Sequence, residues 1–189
     1  MENAAFRLMD TLVYFKRDLV LNDSTAIDIP PGYRLDYDLC SNADEMEKTA
    51  ALAFKNYISH YHADSALSAS KSDAVYSSWA FSSAISTEVA NQIMAVYRED
   101  SLGESKLAAF ATLNYKQNQC EGVLFGVHPG HRQRGLHKVL VRAAIACSAQ
   151  RGCASIISST QLNNLQVQKN GVREGFLPSD SFYTFHQWR

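Results

Sequence analysis

The chain has 189 residues, of which 46% are hydrophobic and 20% are charged, and its formal net charge at pH 7 is −1. This length and composition exclude a largely disordered chain and predict a single domain over residues 1–189. The near-zero net charge excludes a general attraction to nucleic acid or acidic membranes. Without an apolar run of about 20 residues or an apolar leader at residues 1–10, we expect no membrane partner and a cytoplasmic protein.

The first half of the chain predicts two strands followed by helices. Residues 11–15 form a β-leaning run, and residues 33–37 alternate between apolar and charged side chains as in a half-exposed strand. A helix is expected after residues 42–44, which provide candidate capping side chains. The segment 55–86 has few β signals and is rich in aromatic and histidine residues, so we expect helical turns that form one wall of a cleft.

The second half predicts a meander and then a strand–helix–strand unit. Three apolar, β-leaning runs with turn-compatible segments between them lie at residues 93–97, 107–113 and 122–127. A helix with one apolar face follows Gly135, and a strand at 154–160 implies parallel pairing. A short helix from Asn163 or Asn164 to about residue 174 and a final strand at 182–188 complete the order. The four cysteines, Cys40, Cys120, Cys147 and Cys153, are predicted to be reduced structural thiols.

The junction between the third meander strand and its helix predicts an anion site. A strand that ends in a tight turn before a helix directs unpaired backbone N–H groups at one point, and the helix dipole adds positive potential. Arg132 and Arg134 lie in this turn. A phosphate or pyrophosphate is therefore the expected ligand, and a solvated basic turn is the alternative.

Three sequence motifs around and after this turn resemble those of the GNAT acyltransferase superfamily. Residues 132–137, RQRGLH, match its phosphate signature of Arg or Gln, any two residues, Gly, any residue, and Gly or Ala, except that His137 takes the last position. Val127-His128-Pro129 precedes the signature, and Asn164 with Gly175-Phe176 follows it. The resemblance implies an α/β (α+β) fold with a central, mostly antiparallel mixed sheet that splays after the fourth main strand and is flanked by helices. The position of the general-acid Tyr of many GNAT enzymes is Gly171 here.

A narrower resemblance covers four further segments. Residues 59–64 (SHYHAD), 76–79, 160–168 and 183–186 are similar to GNAT enzymes of the dTDP-fucosamine acetyltransferase type. This similarity implies transfer of an acetyl or longer acyl group from acyl-CoA to the amine of a dTDP-linked amino-deoxysugar in polysaccharide biosynthesis. A GNAT enzyme for another small amine or a protein N-terminus, and a CoA-binding sensor without catalytic activity, are the alternatives.

The resemblance also implies site residues. Acyl-CoA would be held by ten residues, Phe125, Val127, Arg132, Gln133, Arg134, Gly135, Leu136, His137, Lys138 and Asn164. Backbone N–H groups near residues 125–127 would stabilise the oxyanion. Proton transfer would fall to His186 and Tyr183 on the last strand, and His186 as a packing residue is the alternative. The acceptor would meet Tyr57, His60, Tyr61 and His62.

The motif His60-x-His62-x-Asp64 also resembles the ligand string of some two-metal hydrolases. A metal site needs further ligands, and the other histidines apart from His186 lie in the phosphate loop. We therefore expect no metal, and a purely structural role in a helix–helix turn is the alternative for these residues. A homodimer is compatible with the fold.

Overall fold

The computed structural model describes residues 6–20, 23, 26–37, 43–99 and 103–188. Within these ranges the strands are β1 (Phe6–Asp18), β2 (Tyr33–Asp36), β3 (Gln92–Glu99), β4 (Ser105–Lys116), β5 (Gln119–Val127), β6 (Ser155–Gln161) and β7 (Leu177–Gln187). The helices are α1 (Ala43–Ala53), α2 (His60–Ala63), α3 (Ala69–Ile85), α4 (Leu136–Gln150) and α5 (Leu165–Arg173), and a 3₁₀ turn spans Pro129–His131. None of these helices is long and apolar enough to cross a membrane.

The seven strands form one mixed, mostly antiparallel sheet in the order β2-β3-β4-β5-β6-β1-β7. The predicted fold class is therefore confirmed, and β3, β4 and β5 form the predicted antiparallel meander. Helix α4 packs against β3, β4, β5 and β6, whereas α1 contacts β4, β5 and α3. Each face of the sheet is thus covered by helices.

The central strand β4 is buried on both faces, because helices cover both sides of the sheet. Residues 107–113 are all buried, which explains why this run is continuously apolar rather than alternating. One core cluster joins α4 to the sheet and contains Met94, Leu140 and Ile156. The other joins α1 and α3 to the opposite face and contains Phe110 and Met46.

Strand β1 lies between β6 and β7 and is antiparallel to both. The predicted strand at 11–15 is confirmed and extends over Phe6–Asp18, but its place in the sheet did not follow from the sequence. Because β1 pairs with β6 along Leu12–Asp18, the only edge at which β6 can open is the one that faces β5.

The two strands β5 and β6 run parallel, as predicted, but they pair only from Gln119 and Ser155 to Gly122 and Ser158. Beyond this point β5 remains paired with β4, and β6 remains paired with β1. Their facing edges therefore diverge, which confirms the predicted splay. The side chain of Asn164 caps α5 by accepting a hydrogen bond from the N–H of Val167, as predicted for this helix start. Asn42, a predicted cap of α1, lies outside the described residues.

Candidate active site

A cleft of about 640 Å³ opens where β5 and β6 separate. The diverging edges form its sides, with residues 122–127 on one strand and 158–161 on the other. Backbone groups on such edges are unpaired toward the cleft, so an extended ligand with amide groups can hydrogen-bond to them as an added strand does.

One wall of the cleft is aromatic and comes from α3 and from the segment between α1 and α3. Phe54 stacks on Tyr76 with ring centroids 4.7 Å apart, and Tyr57 meets Tyr76 edge to face at 5.2 Å. Trp79 is 38% exposed beside them, and His60 and Tyr61 from α2 extend the wall. Burial raises the pKa of Tyr76 to about 12, so this phenol stays protonated at neutral pH.

The opposite wall comes from α4 and α5. Nδ2 of Asn164 donates to the hydroxyl of Thr160 at 3.0 Å, which fixes the amide at the end of β6. Burial raises the pKa of Tyr57, and hydrogen bonding to Thr160 and Asn164 opposes that rise. The phenol of Tyr57 therefore lies close to Thr160 and Asn164.

The loop before α4 has the backbone conformation of an anion-binding turn. Gln133 and Gly135 take left-handed φ values of 60° and 78°, and Gly135 is the N-cap of α4. Alternation of this kind turns successive N–H groups toward one side, and the helix dipole adds positive potential there. Arg134 and Lys138 are exposed on this loop and helix start, whereas Arg132 donates to the carbonyl oxygen of Ala53 at 2.7 Å and lines the cleft.

A hydrogen-bonded chain leads from the cleft to a buried carboxylate. His60 lines the cleft, and its Nδ1 lies 2.9 Å from Nε2 of His186. Nδ1 of His186 lies 2.5 Å from Oδ2 of Asp64, which is 2% exposed. Asp64 also accepts from Nε1 of Trp188 and from the N–H of Ala66, each at 2.9 Å. The hydrogen bond from His186 is the main reason why the pKa of Asp64 is lowered.

Comparison with known proteins identifies the family. The model described as "Acetyltransferase (GNAT) family" matches residues 59–170, more than half of the chain. The chain belongs to the GNAT acetyltransferase family. Members of this family use acetyl-CoA or another acyl-CoA as cosubstrate. No curated protein sequence matches the chain.

Solved GNAT structures share this fold at low sequence identity. A GCN5-related N-acetyltransferase from Sphaerobacter thermophilus aligns with a TM-score of 0.64 and 13% identity, over 98% of this chain and 53% of its own. A tandem GNAT protein from the clavulanic acid biosynthesis pathway aligns with a TM-score of 0.63 and 14% identity, over 94% of this chain and 53% of its own. A glucosamine N-acetyltransferase region of a fungal multi-domain β-N-acetylglucosaminidase aligns with a TM-score of 0.61 and 16% identity, over 98% of this chain and 22% of its own. This chain spans about half the length of the first two.

The GNAT signature position occupied by His137 has a specific structural outcome. The imidazole turns into the cleft beside Phe125, with ring centroids 5.7 Å apart. Its Nδ1 is buried without a hydrogen-bond partner in the described residues, and burial lowers the pKa of the ring. A ligand in the cleft would supply the missing partner.

The other departure from the GNAT pattern, Gly171, also lines the cleft. A Cβ at this position would lie 3.8 Å from Cβ of Phe176, which is an ordinary van der Waals contact. No contact in the described residues therefore requires glycine here.

The predicted GNAT site residues fall into three groups. Eight of them line the cleft: Tyr57, His60, Tyr61, Phe125, Val127, Arg132, His137 and Asn164. Gln133, Arg134, Gly135 and Lys138 are exposed at the start of α4, whereas the side chain of Leu136 is buried in the core, so that only its backbone can meet a ligand.

The third group, Tyr183, His62 and His186, lies neither on the lining of this cleft nor at the start of α4. Tyr183 is 69% exposed on β7, and its catalytic role remains a prediction. His62 closes the capping box of α2 with Ser59 and contacts Asp73 at 3.0 Å. His186 lies behind His60 and lines a separate surface pocket of about 510 Å³.

Sequence reasoning missed three features of the site. Thr160 and Gln161 line the cleft at the end of β6, and Asp64 anchors His186. Asp64 belongs to the string that resembles a metal-ligand motif and for which we expected no metal; the described residues contain no group of three or more candidate metal ligands. The pairing of Asp64 with His186 joins positions 122 residues apart, so no local spacing signals it.

Proposed function

We propose that this GNAT chain transfers an acyl group from acetyl-CoA or another acyl-CoA to a primary amine, and that the amine belongs to a dTDP-linked amino-deoxysugar. The observation that carries the proposal is the cleft between the diverging edges of β5 and β6, which begins at Gly122 and Ser158 and has a basic, N–H-rich loop on the α4 side. This arrangement suits a long cosubstrate with phosphates at one end and amides along its arm.

The fit of acyl-CoA rests on three local features. The unpaired edge of β5 offers backbone groups to the pantetheine amides. The left-handed residues Gln133 and Gly135 shape a turn suited to the pyrophosphate, and Arg134 adds a charge-assisted donor. The buried, unpartnered Nδ1 of His137 points to a polar group of the ligand.

The acceptor would enter along the aromatic wall. Tyr61 and Trp79 present ring faces that can stack on a sugar or base, and Tyr57 provides a phenol for hydrogen bonding. The sequence similarity of residues 59–64 and 183–186 favours a nucleotide-linked amino sugar among small amines. A glucosamine N-acetyltransferase region shares the fold, which supports an amino-sugar acceptor only at the level of the fold.

The reaction would proceed by direct attack of the neutral amine on the thioester carbonyl. Positioning of the two substrates supplies a large part of the rate enhancement, and N–H groups of residues 125–127 would stabilise the oxyanion by about 3 kcal/mol per well-placed donor. The thiol leaving group has an ordinary pKa of about 8.5 and needs little help from an acid. The absence of a phenol at Gly171 is compatible with this mechanism.

The proposal is tested by amine-dependent release of free thiol. Acetyl-CoA and longer acyl-CoA esters are incubated with a dTDP-linked amino-deoxysugar, glucosamine or an alanine-terminated peptide, and the acylated product is identified by mass spectrometry. We expect the highest rate with the nucleotide-linked sugar. Faster acylation of glucosamine or of the peptide would refute the acceptor assignment, and thermal stabilisation by CoA without thiol release from any amine would identify a sensor instead.

A further inference from the structure

Beside the cleft, a chain of hydrogen bonds joins the segment His60–Asp64 to the end of β7. The chain runs from the cleft through His60 and His186 to Asp64, with distances of 2.9 Å and 2.5 Å between ring nitrogens and carboxylate oxygen. These groups come from α2, β7 and the residue after α2. The last strand thus brings His186 between two titratable groups of the α2 segment.

The hydrogen-bond pattern around Asp64 fixes the proton on His186. The carboxylate is buried and accepts from Nε1 of Trp188 and from the N–H of Ala66, and its pKa is lowered, so it is ionised at neutral pH. An ionised carboxylate can only accept hydrogen bonds, so Nδ1 of His186 must donate to it. In the neutral ring, Nε2 of His186 then carries the lone pair.

This orientation determines the state of His60 in turn. Because Nε2 of His186 accepts, Nδ1 of His60 donates, and Nε2 of His60 is left as a base. That Nε2 has no hydrogen-bond partner among the described residues. The ring of His60 lies 3.8 Å from the ring of Tyr61, measured between centroids, and lines the acyl-transfer cleft. Asp64 thus orients a free imidazole nitrogen two hydrogen bonds away.

His186 also connects the chain to the surface. It lines a second pocket of about 510 Å³, together with Lys71 and Trp188. Both ring nitrogens of His186 are engaged, Nε2 with His60 and Nδ1 with Asp64, so the ring holds His60 in place rather than releasing a proton itself. The other charged or titratable groups that face His60 are Asp10 on β1 and Tyr61 on its own helix.

We propose that His60 is the general base of the acyl transfer, and that His186 and Asp64 are positioning residues that fix its tautomer and stabilise its protonated form. The inference rests on the proposed function. Nε2 of His60 removes one proton from the ammonium group of the acceptor, and the resulting imidazolium keeps its Nδ1 proton in the hydrogen bond to Nε2 of His186. Ionised Asp64 stabilises this positive charge through His186, and Nε2 of His60 then releases its proton to solvent, which restores the base. After attack, the second proton of the amine goes to the departing thiolate, so one proton is released per turnover.

The contact between His62 and Asp73 offers a matched control. Nε2 of His62 lies 3.0 Å from Oδ1 of Asp73, and this carboxylate is 63% exposed. Asp64→Asn and Asp73→Asn therefore make the same chemical change beside a histidine, once inside the proposed chain and once outside it. Only the first should alter catalysis.

The test measures kcat and KM from pH 6 to 9 for wild type, His60→Gln, Asp64→Asn and Asp73→Asn, with acetyl-CoA and the amine of the panel above that wild type acylates fastest. We expect His60→Gln to lower kcat at pH 7 by about 10²- to 10⁴-fold with an unchanged KM for acetyl-CoA. The loss should shrink as the pH rises, because the amine then deprotonates without a base. Asp64→Asn should lower kcat less than His60→Gln does, and this loss should also shrink as the pH rises. Asp73→Asn should match wild type.

A second readout does not depend on turnover. Nitrogen-15 NMR of the wild-type histidine rings should show His60 protonated at Nδ1 and unprotonated at Nε2, and Asp64→Asn should shift its proton toward Nε2. A loss in His60→Gln that is equal at every pH, or a wild-type His60 protonated at Nε2, would overturn the role of His60 as general base while leaving the acyl transfer intact. Wild-type protein that releases no thiol with any amine would refute the proposed function, and the catalytic role of His60 with it.

Discussion

Gly122 and Ser158 are the last pair of residues that joins β5 to β6, and Oγ of Ser158 donates a hydrogen bond to the carbonyl oxygen of Gly122 at 3.1 Å. The cleft begins immediately beyond this pair. The parallel ladder thus ends at a side-chain hydrogen bond, and the position of this bond determines how deep the cleft is.

Substitution at Gly122 should alter the cleft rather than the core. A Cβ at this position would lie 2.8 Å from Cε2 of Phe125, whose half-buried ring lines the cleft and must move. We expect Gly122→Ala to raise the KM for acetyl-CoA, with a loss of unfolding free energy below the about 1–3 kcal/mol typical of overpacking in a closed core. Steady-state kinetics and urea denaturation check both quantities. An unchanged KM would show that the ring of Phe125 does not border the bound cosubstrate.

Substitution by alanine at two other glycines that line the cleft should change the free energy of unfolding in opposite directions. At Gly126 a Cβ would lie 2.5 Å from Cε1 of fully buried Phe110, so we expect Gly126→Ala to destabilise the fold by about 1–3 kcal/mol. Gly171 is a helix residue with room for a Cβ, so Gly171→Ala should stabilise by about 0.5–1 kcal/mol. Urea midpoints at constant m-value measure both changes. Shifts of the same sign would contradict this packing.

Reversal of charge at Arg134 should weaken binding of acyl-CoA selectively. Arg134 precedes the N-cap of α4, where the dipole and N–H groups favour an anion. Loss of a charge-assisted hydrogen bond of about 1.5–3 kcal/mol predicts that Arg134→Glu raises the KM for acetyl-CoA by roughly 10- to 100-fold and leaves that of the amine unchanged. Arg173→Glu, an exposed change on α5, is the control. Equal effects on both substrates would argue against a phosphate site at this loop.

The rate should depend on pH through His60. Burial, together with the neighbouring His186, lowers the pKa of His60 below 6.5, while Asp10 opposes this shift. His60 is therefore neutral and able to accept a proton at pH 7, and it becomes protonated as the pH falls through the lowered pKa. We expect kcat/KM for the amine to decline along this acid limb, and the step due to His60 to be missing in His60→Gln. An identical acid limb in that variant would assign the titration to another group.

A partly buried ion pair that joins α4 to the end of α5 should contribute to stability. Nε of Arg142 lies 2.8 Å from Oε2 of Glu174, which is 9% exposed. Arg142→Met leaves this carboxylate without its partner, and we expect a loss of about 1–3 kcal/mol. The exposed pair of Lys16 and Asp18 provides the control, since Lys16→Met should change stability by less than about 0.5 kcal/mol. Thermal and urea unfolding compare the two variants, and equal losses would contradict the difference in burial.

Local sequence patterns predicted most elements of the fold, because periodicity reports which face of an element is buried. Apolar runs identified β3, β4 and β5, and the capping residue Asn164 predicted the start of α5. The first part of β7 escaped prediction, since Pro178 to Ser181 have no β signal. Pairing with β1, for example of Asp180 with Tyr14, holds this segment extended. Tertiary pairing overrides local preference here.

The site was predictable only where its residues lie close in sequence. The turn before α4 was found from its spacing, and its left-handed residues agree with that prediction. Insertion of β1 between β6 and β7 brings the final strand to its place beside α2, and no local pattern reports such a neighbour. The contact between His60 and His186 joins positions 126 residues apart, so the sequence indicated both residues without indicating that they meet.

The proposed function depends on binding of acyl-CoA in the cleft between β5 and β6. A crystal structure with acetyl-CoA tests this binding most directly. We expect the pantetheine arm to lie along residues 123–127 and the pyrophosphate to meet the N–H groups of residues 133–138. The thioester should lie within reach of an amine bound beside His60. Acetyl-CoA bound elsewhere, with the cleft between β5 and β6 unchanged and empty, would contradict it.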